Sequence, residues 1–409
     1  MNLITRRTLL ASIPATLLRA GMANSPITNK WGDAQTTKLD MEEIQVYQGR
    51  EGASYAHHQQ VLFDRGCIYV TWSIGDQHED FPNQRMALST SDDNGRTWSP
   101  ERIISAPNRD HGSIYTAMGI REYKGKLIAY YGHYAYSRMG WEAVKDPSAY
   151  GGVDYRNDPT KWVHRDTFCE ARVSNDRGAT WGKPVAIIDK FVPNLRPQPT
   201  RTGRLICPGN ISFPYTDDRA GLKGWKRAGL PRSPAWTVDD SEGFHKLGGA
   251  RGDEFDLCEG SFYQTDDGKI HMMLRIDPVK GQKHNGLLAV TESSDNGTTW
   301  SEPMITNYSD SACRFHFGRL PDGRYFGLSC PKPRSGRTPL VLALSQDGVI
   351  FDRHYILGDL AKGRARLPGN HKGGIYGYPT CDIAGGKMYL AWSRNKEDIY
   401  FGSFPLSAL

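Results

Sequence analysis

The chain has 409 residues and a formal net charge of +6, and three of its arginines lie in residues 1–23, which contain no acidic residue. So small a charge on so long a chain gives no reason to expect a nucleic-acid partner. With 44 glycines, 24 prolines, 11% aromatic residues and few helix-forming runs, the composition predicts a sheet-rich protein with many tight turns.

The first predicted element is a targeting segment. Two adjacent arginines in TRRTLL (5–10) stand directly before an apolar run (9–18), and small residues at 21–23 supply a cleavage site. This layout predicts a twin-arginine signal peptide over residues 1–23 and export to the periplasm or beyond. The apolar run is too short for a membrane anchor, so we expect residues 24–409 to form a single domain without one.

Six hairpins, each with a glycine turn followed by an apolar strand, recur along the rest of the chain, as in FDRGCIYV (63–70) and DDGKIHMML (266–274). Their turn glycines are Gly66, Gly125, Gly203, Gly268, Gly323 and Gly386. A third strand follows each hairpin, for example RMALSTS (85–91), and a fourth, outer strand comes after it. Six units of four strands predict an all-β fold, a single six-bladed β-propeller.

Seven blades are the alternative to six, if residues 27–56 or 134–166 contain further strands. The sixth unit has no evident fourth strand after FGSFPL (401–406). We expect EEIQVYQ (42–48) to supply that strand and close the ring, because closure removes the open edges of the sheets.

An eight-residue motif, S-x-D-x-G-x-T-W, marks the predicted turn between the third and fourth strands. Its copies are SDDNGRTW (91–98), SNDRGATW (174–181) and SSDNGTTW (293–300), and SQDGVIF (345–351) is a shortened fourth. The aspartate can accept hydrogen bonds from the turn, the glycine allows a positive φ, and the tryptophan is expected to pack flat between blades. These elements resemble the Asp boxes of the sialidase superfamily, which lie on the rim away from the substrate. We therefore interpret them as structural.

The cysteines and histidines give little indication of a metal or cofactor. The seven cysteines include no C-x-x-C pair, and an odd number cannot all pair, so buried free thiols are expected. No H-x-x-x-H motif is present, and we expect that the protein requires no cofactor. The acidic loops DQHED (76–80) and RGDEFD (251–256) offer oxygen ligands that could hold calcium.

If Asp boxes mark one face of the propeller, the ligand site is expected on the other face. There the loops before each first strand meet the loops after each second strand. The entry loops contain His57, His58, His111, Arg196, Glu259, Arg314, His316, His371 and Tyr378. The exits of the second strands contain Asp80, His133, Tyr215, Arg275, Arg334 and Arg337. So many polar groups on one rim are costly to desolvate unless they meet a ligand.

The pattern of these residues is most similar to ulvan lyases and to rhamnosyl-glucuronate lyases or hydrolases. Lyases of that group carry two histidines that bracket one hairpin, as His111 and His133 do here, and the hydrolases use a histidine in the first entry loop, where His58 stands. Tyr215 is the tyrosine best placed beside them. The resemblance implies a polysaccharide lyase or glycoside hydrolase that acts on an acidic, uronate-containing oligo- or polysaccharide.

β-Elimination at a uronate needs particular groups. The carboxylate must be neutralised by a cation while a base removes a weakly acidic proton, and histidine can serve as acid or base near neutral pH. The arginine is not uniquely assigned: Arg196, Arg227 and Arg275 are all candidates for the substrate carboxylate. Glu259 is a candidate substrate-binding residue and a possible internal partner of Arg275.

Two alternative hypotheses of function remain. The scaffold resembles exo-sialidases, which implies a tyrosine nucleophile, a glutamate partner, an aspartate acid and three arginines; Tyr378, Glu259, Asp80 and Arg275 fit that pattern. The first arginine of that family lies in an F/Y-R-I-P motif, whereas this chain reads YAHH at 55–58. The third reading is a non-catalytic propeller that binds glycans or another protein. In each case we expect a monomer.

Overall fold

The computed structural model describes residues 24–80, 83–106, 113–136, 164–189, 191, 193–231, 256–277, 285–369 and 371–409. The predicted signal peptide and His111 lie outside these residues. A search of the described helices finds none that is long and apolar enough to cross a membrane.

The regular secondary structure of the described residues is almost entirely β-strand. In chain order the strands are β1 (Asn24–Thr28), β2 (Gln35–Lys38), β3 (Ile44–Tyr47), β4 (Tyr55–Asp64), β5 (Cys67–Gly75), β6 (Arg85–Ser91), β7 (Arg102–Ser105), β8 (Ser113–Tyr123), β9 (Lys126–Tyr136), β10 (His164–Ser174), β11 (Val185–Asp189), β12 (Gln198–Pro199), β13 (Leu205–Ile206), β14 (Tyr215–Thr216), β15 (Asp256–Gln264), β16 (Ile270–Asp277), β17 (Leu287–Ser293), β18 (Met304–Ser309), β19 (His316–Arg319), β20 (Tyr325–Ser329), β21 (Leu340–Ser345), β22 (Phe351–Gly358), β23 (Gly377–Ala384), β24 (Lys387–Arg394) and β25 (Asp398–Pro405). A short 3₁₀ helix spans Leu406–Ala408.

These strands form six sheets, which we call blades and number by their inner strands. Blade 1 comprises β4–β7, blade 2 β8–β11, blade 3 β12–β14, blade 4 β15–β18 with β1, blade 5 β19–β22 with β2, and blade 6 β23–β25 with β3. Inner strands of neighbouring blades are in contact: β4 packs against both β8 and β23, and β15 against β19. The predicted all-β propeller is confirmed.

Local sequence explains why the hairpins form where they do. The second strands are continuous apolar runs, and every residue of β5 is buried. All six predicted turn glycines have positive φ, between 74° and 97°, a conformation that L-residues with a side chain rarely adopt. All seven cysteines are buried free thiols, as predicted.

The N-terminal segment from Asn24 to Tyr47, which we call the N-terminal belt, runs along the outer edges of three successive blades. β1 pairs in parallel with β18, β2 pairs in parallel with β22, and β3 pairs antiparallel with β25. The prediction that residues 42–48 complete the last blade is confirmed at β3. Strands do occur within 27–56, but those of the belt extend existing blades and build no seventh blade among the described residues.

Each Asp box is a closed network of hydrogen bonds. In the first copy, Gly95 N donates to Ser91 Oγ (2.9 Å), and Thr97 donates to Asp93 through its backbone N (2.9 Å) and its hydroxyl (2.6 Å). These bonds, led by that of the Thr97 hydroxyl, lower the pKa of Asp93 to about 2, so the carboxylate stays ionised. The box is structural, as predicted.

The boxes also join neighbouring blades. Trp98 of blade 1 meets Phe401 of blade 6 with ring centroids 5.2 Å apart, and Trp300 of blade 4 meets Phe213 at 4.9 Å. Both pairs are edge-to-face, at 63° and 64°, so the expectation of flat packing was wrong. The quadrupole of an aromatic ring favours this perpendicular arrangement.

The glycine of the first Asp box offers a stability test. A Cβ at Gly95 would lie 2.2 Å from the Phe401 ring, whereas a Cβ at Gly178, the same position of the second box, would meet nothing nearer than 3.5 Å. Both glycines have positive φ, 89° and 85°. We expect Gly95→Ala to lower the free energy of unfolding by about 2–4 kcal/mol, and Gly178→Ala by only about 1–2 kcal/mol, since only the former is overpacked. Urea unfolding of both variants measures the difference; equal losses would show that backbone strain alone acts.

Candidate functional site

A polar pocket lies where the inner strands of the propeller begin. Its volume is about 420 Å³. Its charged and ionisable lining residues are His58, Glu79, Asp80, Tyr134, Glu259, Arg275, Asp277, Arg337, His371, Lys372, Tyr378 and Lys396. The Asp boxes follow the ends of the third strands, at the opposite end of each blade. The pocket is therefore on the face opposite the Asp boxes, where the ligand site was expected.

Bulges in three inner strands turn key side chains toward this pocket. His58, Glu259 and Tyr378 have φ values of 56°, 41° and 54°, and at each of them the pairing with the second strand shifts register. β-Bulges redirect side chains next to active sites, and left-handed backbone at a residue with a side chain is strained. The same conformation occurs at Asp80 (52°) and Arg337 (62°) in two loops of the pocket.

One guanidinium joins a tyrosine and two carboxylates. Arg275 Nη1 donates to the Tyr378 hydroxyl at 3.0 Å and also forms an ion pair with Glu259, while its Nη2 pairs with Asp277. Tyr378 and Glu259 are 4% and 3% exposed. Burial raises the pKa of Tyr378 well above its usual value, and the charge of Glu259 adds to this, against the opposing effect of the arginines. The phenol is therefore protonated at neutral pH and needs a base in order to react.

Two more guanidinium groups flank the Tyr378 ring. Arg314 and Arg337 have their Cζ atoms 4.5 and 5.1 Å from the ring centroid. Arg314 is fully buried, and it donates to the carbonyls of Asn194 (2.6 Å) and Gln59 (3.4 Å), so it connects three parts of the ring near its axis.

Arg337 is the less satisfied of these two groups. Its Nη2 donates to the Ala312 carbonyl at 3.3 Å, and its Nη1 is buried without a hydrogen-bond partner among the residues that the structure describes. A buried charged donor of this kind is costly unless a ligand completes it. The pocket is therefore suited to an anion at Arg337.

A second wall of the pocket combines a base, an acid and a cation. The Lys396 ammonium forms an ion pair with Glu79, whose Oε1 lies 3.8 Å from His58 Nε2 and accepts from the Tyr55 hydroxyl at 3.4 Å. Glu79 and Lys396 are 4% and 7% exposed. His57, behind this wall, contacts Ser393 Oγ at 2.7 Å, and burial holds the pKa of His57 well below its usual value, so its imidazole is neutral.

Among the described residues, His57, His58 and Glu79 form the one cluster of potential metal ligands, with donor atoms within 4.8 Å of one another. The donor set fits a divalent cation poorly, because the Lys396 ammonium already holds the carboxylate and Arg337 adds positive charge nearby. In the predicted calcium loop, Asp76 is engaged by Asn83 and Arg85. The other acidic loop lies outside the described residues, apart from Asp256. Calcium therefore stays a prediction.

Of the predicted site residues, the structure brings His58, Glu259 and Arg275 together in the pocket. His111 lies outside the described residues, so its pairing with His133 stays a prediction. His133 does not line the pocket: its Nδ1 lies 3.5 Å from Glu170 Oε1, and its ring contacts Phe168 at 4.3 Å between centroids.

The remaining predicted residues lie elsewhere. Tyr215 packs under Arg204, which also donates to Thr298 of the third Asp box, so it belongs to the Asp-box side. Arg227 pairs with Asp189 on the surface. Arg196 donates to carbonyls of blades 1 and 2, pairs with Asp382 at 3.0 Å and lines a different cavity at the other ends of the inner strands.

Lys396, Glu79 and Arg337 were not selected as site residues from the sequence. Arg337 and Lys396 follow the second strands of blades 5 and 6, β20 and β24, which is the position that the search for exit loops examines. Arg337 is among the residues that the sequence places at a second-strand exit, whereas Lys396 was missed although it follows β24 in the same way. Glu79 directly precedes Asp80 in the same kind of loop.

Comparison with known proteins gives a family and a fold. The family model described as "BNR repeat-like domain" matches residues 66–390. The structure is similar to that of a protein of unknown function from Dyadobacter fermentans, with 17% identity and a TM-score of 0.57, over 90% of this chain and 98% of that one. It is also similar to a Hadza microbial sialidase, with 15% identity and a TM-score of 0.61, over 88% of this chain and 67% of that one. A third similar structure is Trypanosoma rangeli sialidase, with 15% identity and a TM-score of 0.59, over 90% of this chain and 60% of that one. None of the curated protein sequences compared with the chain matches it.

These likenesses confirm the resemblance to sialidase-superfamily propellers that the Asp boxes carry. At such low identity the structural matches establish the fold alone. The resemblance to ulvan lyases and rhamnosyl-glucuronate enzymes stays a prediction.

Proposed function

Because this chain belongs to the family of the BNR repeat-like domain, we propose that it is a carbohydrate-active enzyme, a glycoside hydrolase that removes an acidic sugar with Tyr378 as its nucleophile. The observation that carries the proposal is the single guanidinium of Arg275, which contacts Tyr378, Glu259 and Asp277 in one pocket. A buried tyrosine, glutamate and set of arginines gathered at one pocket are costly to desolvate unless they meet a ligand.

The proposed reaction begins with binding of the sugar carboxylate. Arg337 donates through its Nη1, which has no partner among the described residues, and Arg275 adds positive charge beside it. The carboxylate therefore lies close to the Tyr378 oxygen, which Arg275 contacts at 3.0 Å. Charge-assisted bonds from guanidinium groups are among the strongest and most directional for this purpose.

Bond cleavage then follows a double displacement. Glu259 takes the phenolic proton as the Tyr378 oxygen attacks the anomeric carbon, and Asp80 protonates the departing glycosidic oxygen. Asp80, now a carboxylate, takes a proton from a water molecule, which attacks the anomeric carbon and breaks the tyrosyl–sugar bond. Glu259 returns the phenolic proton to the departing Tyr378 oxygen. Two inversions give net retention of the anomeric configuration. Each acid–base step is worth about 10²–10⁴-fold.

β-Elimination at a uronate is the second candidate. The observation in its favour is that a phenol lies beside two arginines, since elimination needs a base next to a neutralised carboxylate. In that reaction Glu259 would take the phenolic proton, the Tyr378 oxygen would remove the C5 proton, and the O4 leaving group would depart with a proton from Asp80 to give an unsaturated uronate. His133 does not line the pocket, so this version of the reaction gives it no role.

One assay separates these candidates. Purified protein is incubated with uronate oligosaccharides, an aryl glucuronide and an aryl sialoside, and both released acidic sugar and ultraviolet absorbance are followed. We expect release of an acidic sugar, with retained configuration by NMR and no absorbance increase. An unsaturated product instead would establish the lyase, and binding without turnover would leave the glycan-binding propeller.

The compartment and the assembly are further proposals. We propose that the protein works outside the cytoplasm, on the basis of the adjacent arginines and apolar run in residues 1–23. The monomer stays a prediction, which size-exclusion chromatography with light scattering tests.

A further inference from the structure

The wall of the pocket that contains His58, Glu79 and Lys396, here called the mixed wall, differs in chemistry from the arginine side. We propose that the mixed wall binds a ring hydroxyl of the acidic sugar, and that it selects uronic acids over deoxy acids such as sialic acid. This inference rests on the proposed function, because it concerns the sugar that Tyr378 attacks. It corresponds to the place where the chain reads YAHH in place of the arginine motif of exo-sialidases.

The donor and acceptor inventory of the mixed wall matches a hydroxyl. Guanidinium groups only donate hydrogen bonds, so a wall of arginines recognises anions. The Glu79 carboxylate accepts and the Lys396 ammonium donates, and the two are held together as an ion pair. A sugar hydroxyl both donates and accepts, and one ion pair of this kind satisfies both of its capacities.

The spacing within the wall leaves a place for such a hydroxyl. His58 Nε2 and Glu79 Oε1 are 3.8 Å apart, which is longer than a direct hydrogen bond. A polar contact at this distance is suited to a bridging oxygen. The His58 ring is fixed on its other side, where Nδ1 contacts Ser73 Oγ at 3.1 Å. Its Nε2 is thus presented toward Glu79 in a defined orientation.

The ion pair is not needed to join blades 6 and 1. The backbone makes that junction, because Ala56 N donates to the Lys396 carbonyl at 3.0 Å. Taking two charges out of water costs several kcal/mol per ion, and apolar replacements of buried pairs are often neutral or stabilising. A buried pair on the surface of a pocket is therefore better explained by a ligand than by stability.

The mixed wall lies beside the reacting group. The His58 and Tyr378 ring centroids are 5.5 Å apart, so a hydroxyl at His58 and Glu79 belongs to the same sugar that Tyr378 contacts. That sugar carries its carboxylate at Arg275 and Arg337. Uronic acids have a hydroxyl on the carbon next to the one that bears the carboxylate, whereas sialic acids have a methylene there.

The test measures binding, so that it does not depend on turnover. Calorimetry with the full chain carrying Tyr378→Phe compares methyl glucuronide with its 2-, 3- and 4-deoxy analogues and with methyl sialoside. We expect one deoxy analogue and the sialoside to bind about tenfold to a hundredfold more weakly, the loss typical of a hydrogen bond to a charged group.

Two further substitutions assign that loss to the mixed wall. Lys396→Met and Glu79→Gln are each made on the Tyr378→Phe background. In both, methyl glucuronide should bind less than threefold more tightly than the sensitive deoxy analogue. A double-mutant cycle between side chain and hydroxyl isolates this coupling. Lys269→Met removes a lysine that pairs with Glu292 far from the pocket, at 3.2 Å, and should leave the difference intact. Glu79→Gln keeps the shape of the side chain and carries the test if Lys396→Met does not fold.

Equal binding of all the deoxy analogues would overturn the assignment. So would a difference that persists in both Lys396→Met and Glu79→Gln. If the wild-type protein turns over none of the glycosides but the coupling is present, the proposed hydrolase fails and the hydroxyl site stands.

Discussion

Tyr378→Phe is expected to lower kcat by at least about 10³-fold and to leave the chain folded. The substitution removes the one oxygen that the proposed mechanism uses as a nucleophile. The ring stays, with its contacts to His57 (4.1 Å between centroids) and to the Arg314 guanidinium. Arg275 loses a single hydrogen bond and keeps its two ion pairs with Glu259 and Asp277.

Tyr376→Phe is the matched control. Tyr376 is two residues away in the same segment, but its hydroxyl contacts Glu43 (2.8 Å) and the backbone of Leu360 (3.2 Å) and lies away from the pocket. We expect Tyr376→Phe to lower the free energy of unfolding by about 1 kcal/mol and to leave kcat unchanged. If Tyr378→Phe retained more than a tenth of the wild-type kcat, Tyr378 would not be the nucleophile.

Arg337→Met is expected to give the second-largest effect, a fall in kcat/KM of about thirtyfold to a thousandfold. Removing one partner of a buried charged pair costs about 2–4 kcal/mol of binding, which corresponds to that range. Most of the loss should appear in KM, because the arginine holds the carboxylate before and during the reaction. The melting temperature should stay the same or rise, since the lost side chain has a buried Nη1 with no hydrogen-bond partner in the described part of the chain.

Arg275 is the less suitable target for this experiment. Its removal would leave the buried Glu259 carboxylate without its ion pair, which is expected to destabilise the fold by about 3–5 kcal/mol and obscure any effect on catalysis. Arg334→Met is the control for Arg337→Met, because Arg334 lies three residues earlier in the same loop and is exposed. A change in kcat/KM of less than threefold in Arg337→Met would place the carboxylate elsewhere.

The architecture was largely predictable because its determinants are local. Turn glycines, apolar second strands and Asp boxes each depend on a few adjacent residues, and β6 begins and ends at the residues predicted for it, Arg85 and Ser91. β2 was not predictable, because its four residues, QTTK, are all exposed and carry no apolar alternation. Blade 3 also departs from the four-strand unit, with three strands of two residues each among the described residues.

The site was less predictable because it depends on single-residue shifts in register. His57 and His58 are neighbours, yet a bulge with positive φ at His58 places only the second in the pocket. Plain alternation predicts that neighbouring side chains point apart, whereas the bulge brings the His57 and His58 ring centroids within 4.7 Å. Glu259 and Arg275 were found because they lie near the entry and the exit of one hairpin, where Arg275 pairs with Cys258 beside Glu259. Lys396, in contrast, reaches Glu79 across 317 residues of sequence.

The N-terminal belt also determines the order in which the molecule can be completed. Tyr47 pairs with Ile399. Asn24 of β1 pairs with Ile305 and Gln35 of β2 with Arg353, which lie 281 and 318 residues later in the chain. The belt is synthesised before the other strands of every blade, so it must wait for blades 4, 5 and 6 before all of it can dock. Such long-range pairing slows folding and keeps strand edges open to wrong partners while it is incomplete. A chain released before β25 could still dock β1 on β18 and β2 on β22, but β3 would have no partner and blade 6 would stay open, so aggregation is the expected fate of truncated protein.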